Sequence, residues 1–499
     1  MASEKKRRRP IRRLIIFLII NSAFTLVLAL AAFVYGWTMF ARSLPDLQGW
    51  HLEAPESEFE AEDAEAGYTF DDYLVQEDVI FDELDDLIDS EWASIEQSRY
   101  SRFHRGSLTD PDTVSDRNWN RSLKLEAADP VGGAVLIHGL SDSPYSLRMV
   151  GEVLHAEGWT VYFLRVPGHG TSPRALAQVS WRDWAAAVRV AAHSLHSSLP
   201  DDAPMVLFGF SNGGALAMQY ATAAVTDDDI PTADGVVLFS PMIGITAMAQ
   251  ITEAYSIIGR ISGLEKVAWS RVTLECDPFK YSSWPMNASV QAWRMTQNLE
   301  SLMVGLERAG RLGELPPVLT FQSAVDATVV VPRLVDRVYD RMQTSASELV
   351  LFDVNRLGVA AGLIKPTYAA DYVASLESET APYTLSLVTN RDAASDALIE
   401  KRRVGTEITT TDLGLDWPDD IFSLSHGAIP IPEDDPVLGN AQATKDTALP
   451  LGSLHMRGET GVLVISESLL MRQRYNPFDD YMQTRMLEWL QSVTGSRTP

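Results

Sequence analysis

Three features of this 499-residue sequence predict an α/β fold, a mostly parallel sheet covered by helices on both faces. Short apolar runs alternate with helical segments from about residue 118 onward, the pattern of buried parallel strands joined by crossover helices. One of these runs, residues 205–210, passes straight into Ser211-Asn212-Gly213-Gly214 and then into the small, helix-forming residues 215–221. Roughly seventy residues, 243–315, separate two of the strands. That is far more than one crossover needs, and it predicts a helical cap over the carboxyl ends of the strands.

The N-terminal part is of another kind. Lys5, Lys6, Arg7, Arg8, Arg9, Arg12 and Arg13 crowd residues 1–13, and residues 14–40 then carry no charge. An apolar run of that length exceeds the ~20 residues that cross a bilayer, and also the apolar core of a cleavable signal, roughly 7 to 15 residues. It predicts one uncleaved transmembrane helix. The basic cluster stays in the cytoplasm and the rest of the chain lies on the other side, facing the periplasm if the source is bacterial. Residues 41–117 form an acidic segment: between His51 and Trp92 there are seventeen Asp or Glu and no Lys or Arg. Its first part, to about Gly67, is expected to repel itself and act as a tether. Its second part, from Phe70 to about Ile95, has apolar residues at helical spacing and is expected to dock on the body, which spans residues 118–495.

In that body Ser122–Leu125 predicts an edge strand, and buried strands are predicted at 133–139, the last of it a glycine turn, 160–166, 205–210, 235–241 and 317–322. Helices are predicted at 146–157 and 181–197. Within the cap, 251–269 and 288–312 look helical. The formal net charge of −26 excludes a nucleic-acid partner, because phosphate binding needs a basic face. The single cysteine, Cys276, excludes an intramolecular disulfide. Its neighbours Glu275 and Asp277 raise its thiol pKa, so it is not the nucleophile.

The strand, G-x-S-x-G and helix together read as a nucleophile elbow with Ser211 at its apex. Gly209 and Gly213 flank it because a Cβ at either place would strike a neighbouring element, and the helix start behind it offers free N–H groups to an oxyanion. A hydroxyl needs a base, and the base needs a carboxylate to orient it. Asp326 lies in the turn after the strand 317–322, where the acid is expected; Asp336, inside the next helix, and Asp353, ending the strand 348–352, fit less well. Two histidines follow, His426 and His455. His426 is favoured, since residues 421–424 are short and apolar enough for a final buried strand while 452–458 read as a surface turn. The main-chain N–H groups of Leu140 and Asn212 are the expected oxyanion donors. His138 and His169 read as loop architecture.

These motifs, His138-Gly139-Leu140-Ser141-Asp142-Ser143-Pro144, Pro167-Gly168-His169-Gly170-Thr171-Ser172, the elbow, Asp326 in S-x-x-D-x-T-V, and His426, resemble the α/β-hydrolase superfamily. Within it the likeness is to monoacylglycerol lipases and bacterial carboxylesterases, the serine aminopeptidase-like hydrolases, over about residues 118–350 and 415–495. The resemblance implies an α/β-hydrolase fold and hydrolysis of a small-molecule ester or a lipid through an acyl-enzyme on Ser211, without metal or organic cofactor. Two departures stand out. Asp326 and His426 are a hundred positions apart, about three times the usual spacing, so residues 357–417 are an insertion, with a strand at 383–388. The membrane anchor is the second. A peptidase, amidase or thioesterase would use the same residue types, and a silent, anchored binding module would have no need of all three.

Overall fold

The computed structural model describes residues 42–92, 99–244, 264–358, 381–440 and 474–495, apart from positions 327, 330, 343, 419, 420 and 422, together with part of 17–40. A ten-stranded sheet forms its centre, in the order β1-β3-β2-β4-β5-β8-β9-β10-β11-β12. The strands are β1 Leu123–Leu125, β2 Gly133–Ile137, β3 Thr160–Leu164, β4 Met205–Phe210, β5 Gly235–Phe239, β8 Val318–Ser323, β9 Glu348–Phe352, β10 Thr384–Asn390, β11 Ala397–Val404 and β12 Glu407–Asp416. β6 Trp269–Arg271 and β7 Trp284–Pro285 pair separately. Pairing is parallel from β3 through β10 and antiparallel at both margins, β1 on β3 and β10-β11-β12.

Strands β2, β3, β4, β5, β8 and β9 are buried along their whole length, which is why they are apolar runs without alternation. Their side chains divide between two cores. Ile137, Leu164, Leu207 and Leu238 pack with helices α5 Trp181–Ser198, α6 Asn212–Ala224 and α7 Met286–Ala309. Leu136, Phe163, Phe208 and Val237 pack with α3 Arg148–Ala156 and α9 Asp479–Thr494.

Three expectations are corrected. The acidic segment is no tether over residues 51–67. Trp50 and His51, in the short helix α1 Gly49–Leu52, are buried, as is Phe59. His51 Nε2 lies 2.9 Å from Ser283 Oγ, and Ser172 Oγ donates to the Glu53 carbonyl at 3.0 Å. The Ala61 N–H donates to Asp183 at 3.1 Å. Glu58 meets a remote cation on the body, Arg165, while Glu56, Glu60, Glu62 and Glu65 stay exposed and Phe59 enters the core. Helix α2 Phe70–Leu87 docks as expected, with Phe70 and Tyr73 in the core of the α5–α7 face. Second, α7 lies along α6 and α5: Gln219 Nε2 donates to Asn298 Oδ1 at 3.2 Å, and Asn287 Nδ2 to the Val179 carbonyl at 2.9 Å. The second half of the expected cap therefore flanks the sheet. Of the first half, 251–263 lies outside the described residues, and its end forms a 3-10 turn, Glu265–Ala268, and β6. Third, the described residues among 421–424, Ile421, Ser423 and Leu424, are not in a strand, although Ile421 and Leu424 are buried. The sheet is extended instead by β10, β11 and β12, all from within 357–417.

Nearly half of the expected transmembrane segment, 14–40, lies outside the described residues, as does His455. The described positions from 17 to 40 are helical, and Phe17, Leu18, Ile20, Phe24, Leu26 and Leu28 among them are exposed. Among the described residues no helix is long and apolar enough to cross a membrane.

Candidate active site

β4 ends at Phe210 and α6 begins at Asn212, so Ser211 alone makes the turn, with φ 53° and ψ −113°. A non-glycine residue there costs about 1–3 kcal/mol and persists only where its surroundings fix it. They do. The Ser211 N–H donates to the Phe239 carbonyl at 2.9 Å, and the Ser211 carbonyl accepts from Met242 N–H at 2.8 Å. A Cβ on Gly213 would lie 1.9 Å from the Ile137 carbonyl oxygen, and one on Gly209 would lie 2.5 Å from the Gly213 carbonyl oxygen. Both glycines are thus required for α6 to press against the ends of β2 and β4.

The same close approach brings in the turn after β2. A Cβ on Gly139 would be 3.2 Å from Ser211 Cβ, so the next residue, Leu140, begins beside the elbow. Among the described residues neither Leu140 N–H nor Asn212 N–H appears in the turn and cap hydrogen bonds. His138 is buried behind them: its Nδ1–H donates to the Gly139 carbonyl at 2.9 Å, and its Nε2 accepts from Val166 N–H at 3.0 Å. Both nitrogens are engaged by main chain, and burial, with the neighbouring His169 and Arg165, holds its pKa well below the ordinary value. His169 faces Val166 and Pro167 carbonyls through Nδ1, and burial takes its pKa down to about 4. Neither is available as a base.

Asp326 stands just past β8 with its carboxylate fully buried. Oδ1 accepts from the N–H groups of Thr328 (2.7 Å) and Val329 (3.1 Å). Oδ2 accepts from Gln322 Nε2 (2.9 Å) and from His426 Nδ1 (2.8 Å). Burial by itself would raise this pKa, but the hydrogen bond and charge of His426 and the two N–H groups together hold it below the ordinary aspartate value. Since the carboxylate can only accept, Nδ1 carries a proton, and it is Nε2 whose lone pair is free in the neutral ring. The imidazole ring rests on Phe210, the residue before Ser211, with centroids 5.4 Å apart. Among the described residues no hydrogen bond joins Ser211 Oγ to His426.

The alternatives to Asp326 are occupied elsewhere. Asp353 binds Arg356 and accepts from Thr389 Oγ1 at 2.7 Å, and Asp336 lies in helix α8, Val331–Arg337. Cys276 is buried, and burial with Asp277 and Glu275 pushes its thiol up to about 12. Gln322 was not foreseen as part of the site; four positions before Asp326 in a buried strand, it gave no signal distinct from core polarity. A cavity of about 820 Å³ between the acidic segment and the body, against Ala175, Val179 and Asp183, does not reach Ser211.

Residues 128–353, somewhat less than half of the chain, match the family model described as serine aminopeptidase, S33. The chain carries an α/β-hydrolase domain. A thermostable monoacylglycerol lipase of Bacillus sp. (strain H-257) is 28% identical over 117 residues, 23% of this chain and 43% of that protein. Phospholipase YtpA of Bacillus subtilis (strain 168) is 28% identical over 121 residues, 24% of this chain and 44% of its own length. The chain therefore spans less than half the length of these curated relatives. Among solved structures, the metagenome-derived lipolytic enzymes LipS and LipT align with 47% of this chain and 88% of theirs at 21% identity and TM-score 0.38. The monoacylglycerol lipase of Paleococcus ferrophilus aligns with 46% and 88% at 21% identity and TM-score 0.35. The domain reaches beyond residue 353, since β10–β12 continue its sheet and His426 meets Asp326 just past β8.

Proposed function

We propose that this chain is a serine hydrolase cleaving carboxylic esters, short acyl esters or monoacylglycerol-like lipids, through Ser211, His426 and Asp326. The observation that carries the reading is the Nδ1–Oδ2 contact of 2.8 Å between His426 and Asp326, with the ring against Phe210. In the proposed reaction Ser211 Oγ attacks the ester carbonyl as His426 Nε2 takes its proton. The N–H groups of Leu140 and Asn212 receive the oxyanion. The tetrahedral intermediate collapses with His426 handing the proton to the leaving alcohol, which leaves an acyl-enzyme on Ser211. Water, activated by the same imidazole, then releases the acid. Asp326 keeps Nδ1 protonated and stabilises the imidazolium formed in each half.

The apolar run 14–40 behind its basic cluster supports a single membrane anchor, cytoplasmic at its N-terminus, with the hydrolase domain on the other side. The relatives named as a monoacylglycerol lipase and a phospholipase favour a lipid ester. The model described as a serine aminopeptidase favours testing amides beside esters. Turnover of p-nitrophenyl esters from acetate to palmitate, measured against a matched p-nitroanilide on the detergent-solubilised protein, decides between them. Ester cleavage with an acyl-length optimum supports the reading. Cleavage of the anilide alone replaces it with a peptidase.

A further inference from the structure

Arg165, directly after β3, is wholly buried, and among the described residues its charge is matched from the acidic N-terminal segment. Glu58 accepts from it in a two-pronged contact, Oε2 from Nη1 at 3.1 Å and Oε1 from Nη2 at 2.9 Å. Glu77, from α2, holds Oε2 3.3 Å from Arg165 Nε. Glu77 also accepts from the N–H and hydroxyl of Ser122, whose Oγ in turn accepts from the Arg165 N–H at 2.8 Å, and Tyr73 Oη donates to the Arg165 carbonyl at 2.7 Å. An unpaired buried guanidinium is strongly destabilising, so these two carboxylates fix where the chain leaves β3.

That exit leads to Ser211 in three steps. The residue after Arg165 is Val166, whose N–H holds His138 Nε2 at 3.0 Å; Arg165 Nη1 also holds the His169 carbonyl at 3.0 Å, and the His169 ring lies 5.0 Å from the His138 ring. His138 Nδ1–H then grips the Gly139 carbonyl at 2.9 Å. The Gly139 carbonyl and the Leu140 N–H belong to one rigid peptide plane. Orienting the first therefore aims the second, the proposed oxyanion donor.

Resting on the proposed hydrolase reading, we infer that Glu58 and Glu77 are positioning residues for catalysis: the acidic segment aims the Leu140 N–H through Arg165 and His138. Only interactions stronger in the transition state than in the ground state change turnover, so a misaimed donor lowers kcat and leaves KM alone. The test compares wild type, Glu58→Gln and the triple variant Glu58→Gln/Glu77→Gln/Arg165→Met. Measured for each are kcat and KM on a soluble ester, the Ki of a trifluoromethyl ketone, which mimics the tetrahedral intermediate, and the melting temperature. The triple variant removes all the buried charge together, so it regains stability without regaining the positioning. Expected are a kcat about 10-fold lower, a Ki about 10-fold higher and a KM within twofold in both variants, with the triple melting no lower than Glu58→Gln. A folded variant of either kind with kcat and Ki within twofold of wild type overturns the inference and leaves the network a structural clasp. A wild type that neither turns over esters nor reacts with a fluorophosphonate overturns the hydrolase reading instead.

Discussion

His426 Nδ1 and Asp326 Oδ2 meet at 2.8 Å across 100 positions of chain, with four sheet strands, β9, β10, β11 and β12, lying between them in sequence. The last three add width to the sheet on the far side of β9 while the chain returns beneath it, Ile421, Leu424, Ile429 and Ile431 all buried in the α3–α9 core. The expected outcome is that His426→Ala loses ester turnover about as severely as Ser211→Ala, by several orders of magnitude, while His455→Ala stays within a few-fold of wild type. Steady-state kinetics on a p-nitrophenyl ester read both, and the reverse ranking would assign the base to residue 455.

Gly213 and Gly427 give opposite expectations for the same change. A methyl at Gly213 would lie 1.9 Å from the Ile137 carbonyl, whereas nothing stands within 4 Å of one at Gly427. Gly213→Ala is expected to cost about 3 kcal/mol or more in denaturant unfolding, since backbone must move to admit it. Gly427→Ala, although next to His426, should leave stability within about 0.5 kcal/mol of wild type.

Truncation separates the proposed anchor from the docked segment. Removing residues 1–45 takes away none of the described residues that pack in either core of the sheet, and the product should retain turnover of water-soluble esters. Removing residues 1–92 strips Phe59, Phe70 and Tyr73 from the core and both carboxylates from Arg165, and should yield aggregated or inactive protein. Size-exclusion chromatography with ester assays on the two products checks this; an active monomer lacking 1–92 would mean the docking contributes little.

The docked segment also marks what the sequence could and could not tell. Strands β2, β3, β4, β5 and β8 were legible because a strand buried on both faces has to be apolar throughout, and the elbow was legible because only glycine fits at Gly209 and Gly213. The turn after β8 that holds Asp326 was legible from the strand before it, and the contact with His426 on which its proposed role rests was not. Residues 51–67 were misread because local charge says nothing of distant partners: Glu58 reads as solvated until Arg165, 107 positions on, is placed beside it. β11 and β12 escaped notice because the margin of the sheet lets them carry Glu400, Lys401, Arg402 and Arg403, and exposed threonines at 409–411, with no apolar run. Residues 421–424 resembled a strand since two buried aliphatic side chains produce the same short pattern whether the backbone is extended or looped.

Stability should fall on mild acidification. His51 is buried, and burial lowers its pKa from 6.5 to about 4, so the unfolded chain takes up a proton first as the pH drops. Stability from the neutral form is therefore full above pH 6.5 and is lost as pH falls from there towards 4. Between pH 7 and 5 the loss is about 2 kcal/mol for this imidazole, and His169, shifted the same way, adds to the slope. Urea unfolding at pH 7 and pH 5 should show a smaller difference in His51→Gln than in wild type; an equal difference would mean that His51 titrates in the folded chain as it does unfolded.

The central claim, that Ser211 is the nucleophile, is tested most directly by peptide mass mapping after reaction with a fluorophosphonate, on wild type and Ser211→Ala side by side. The account predicts one phosphonylated residue, Ser211, and loss of both label and ester turnover in the variant. A label on any other residue, or full labelling of Ser211→Ala, would contradict it.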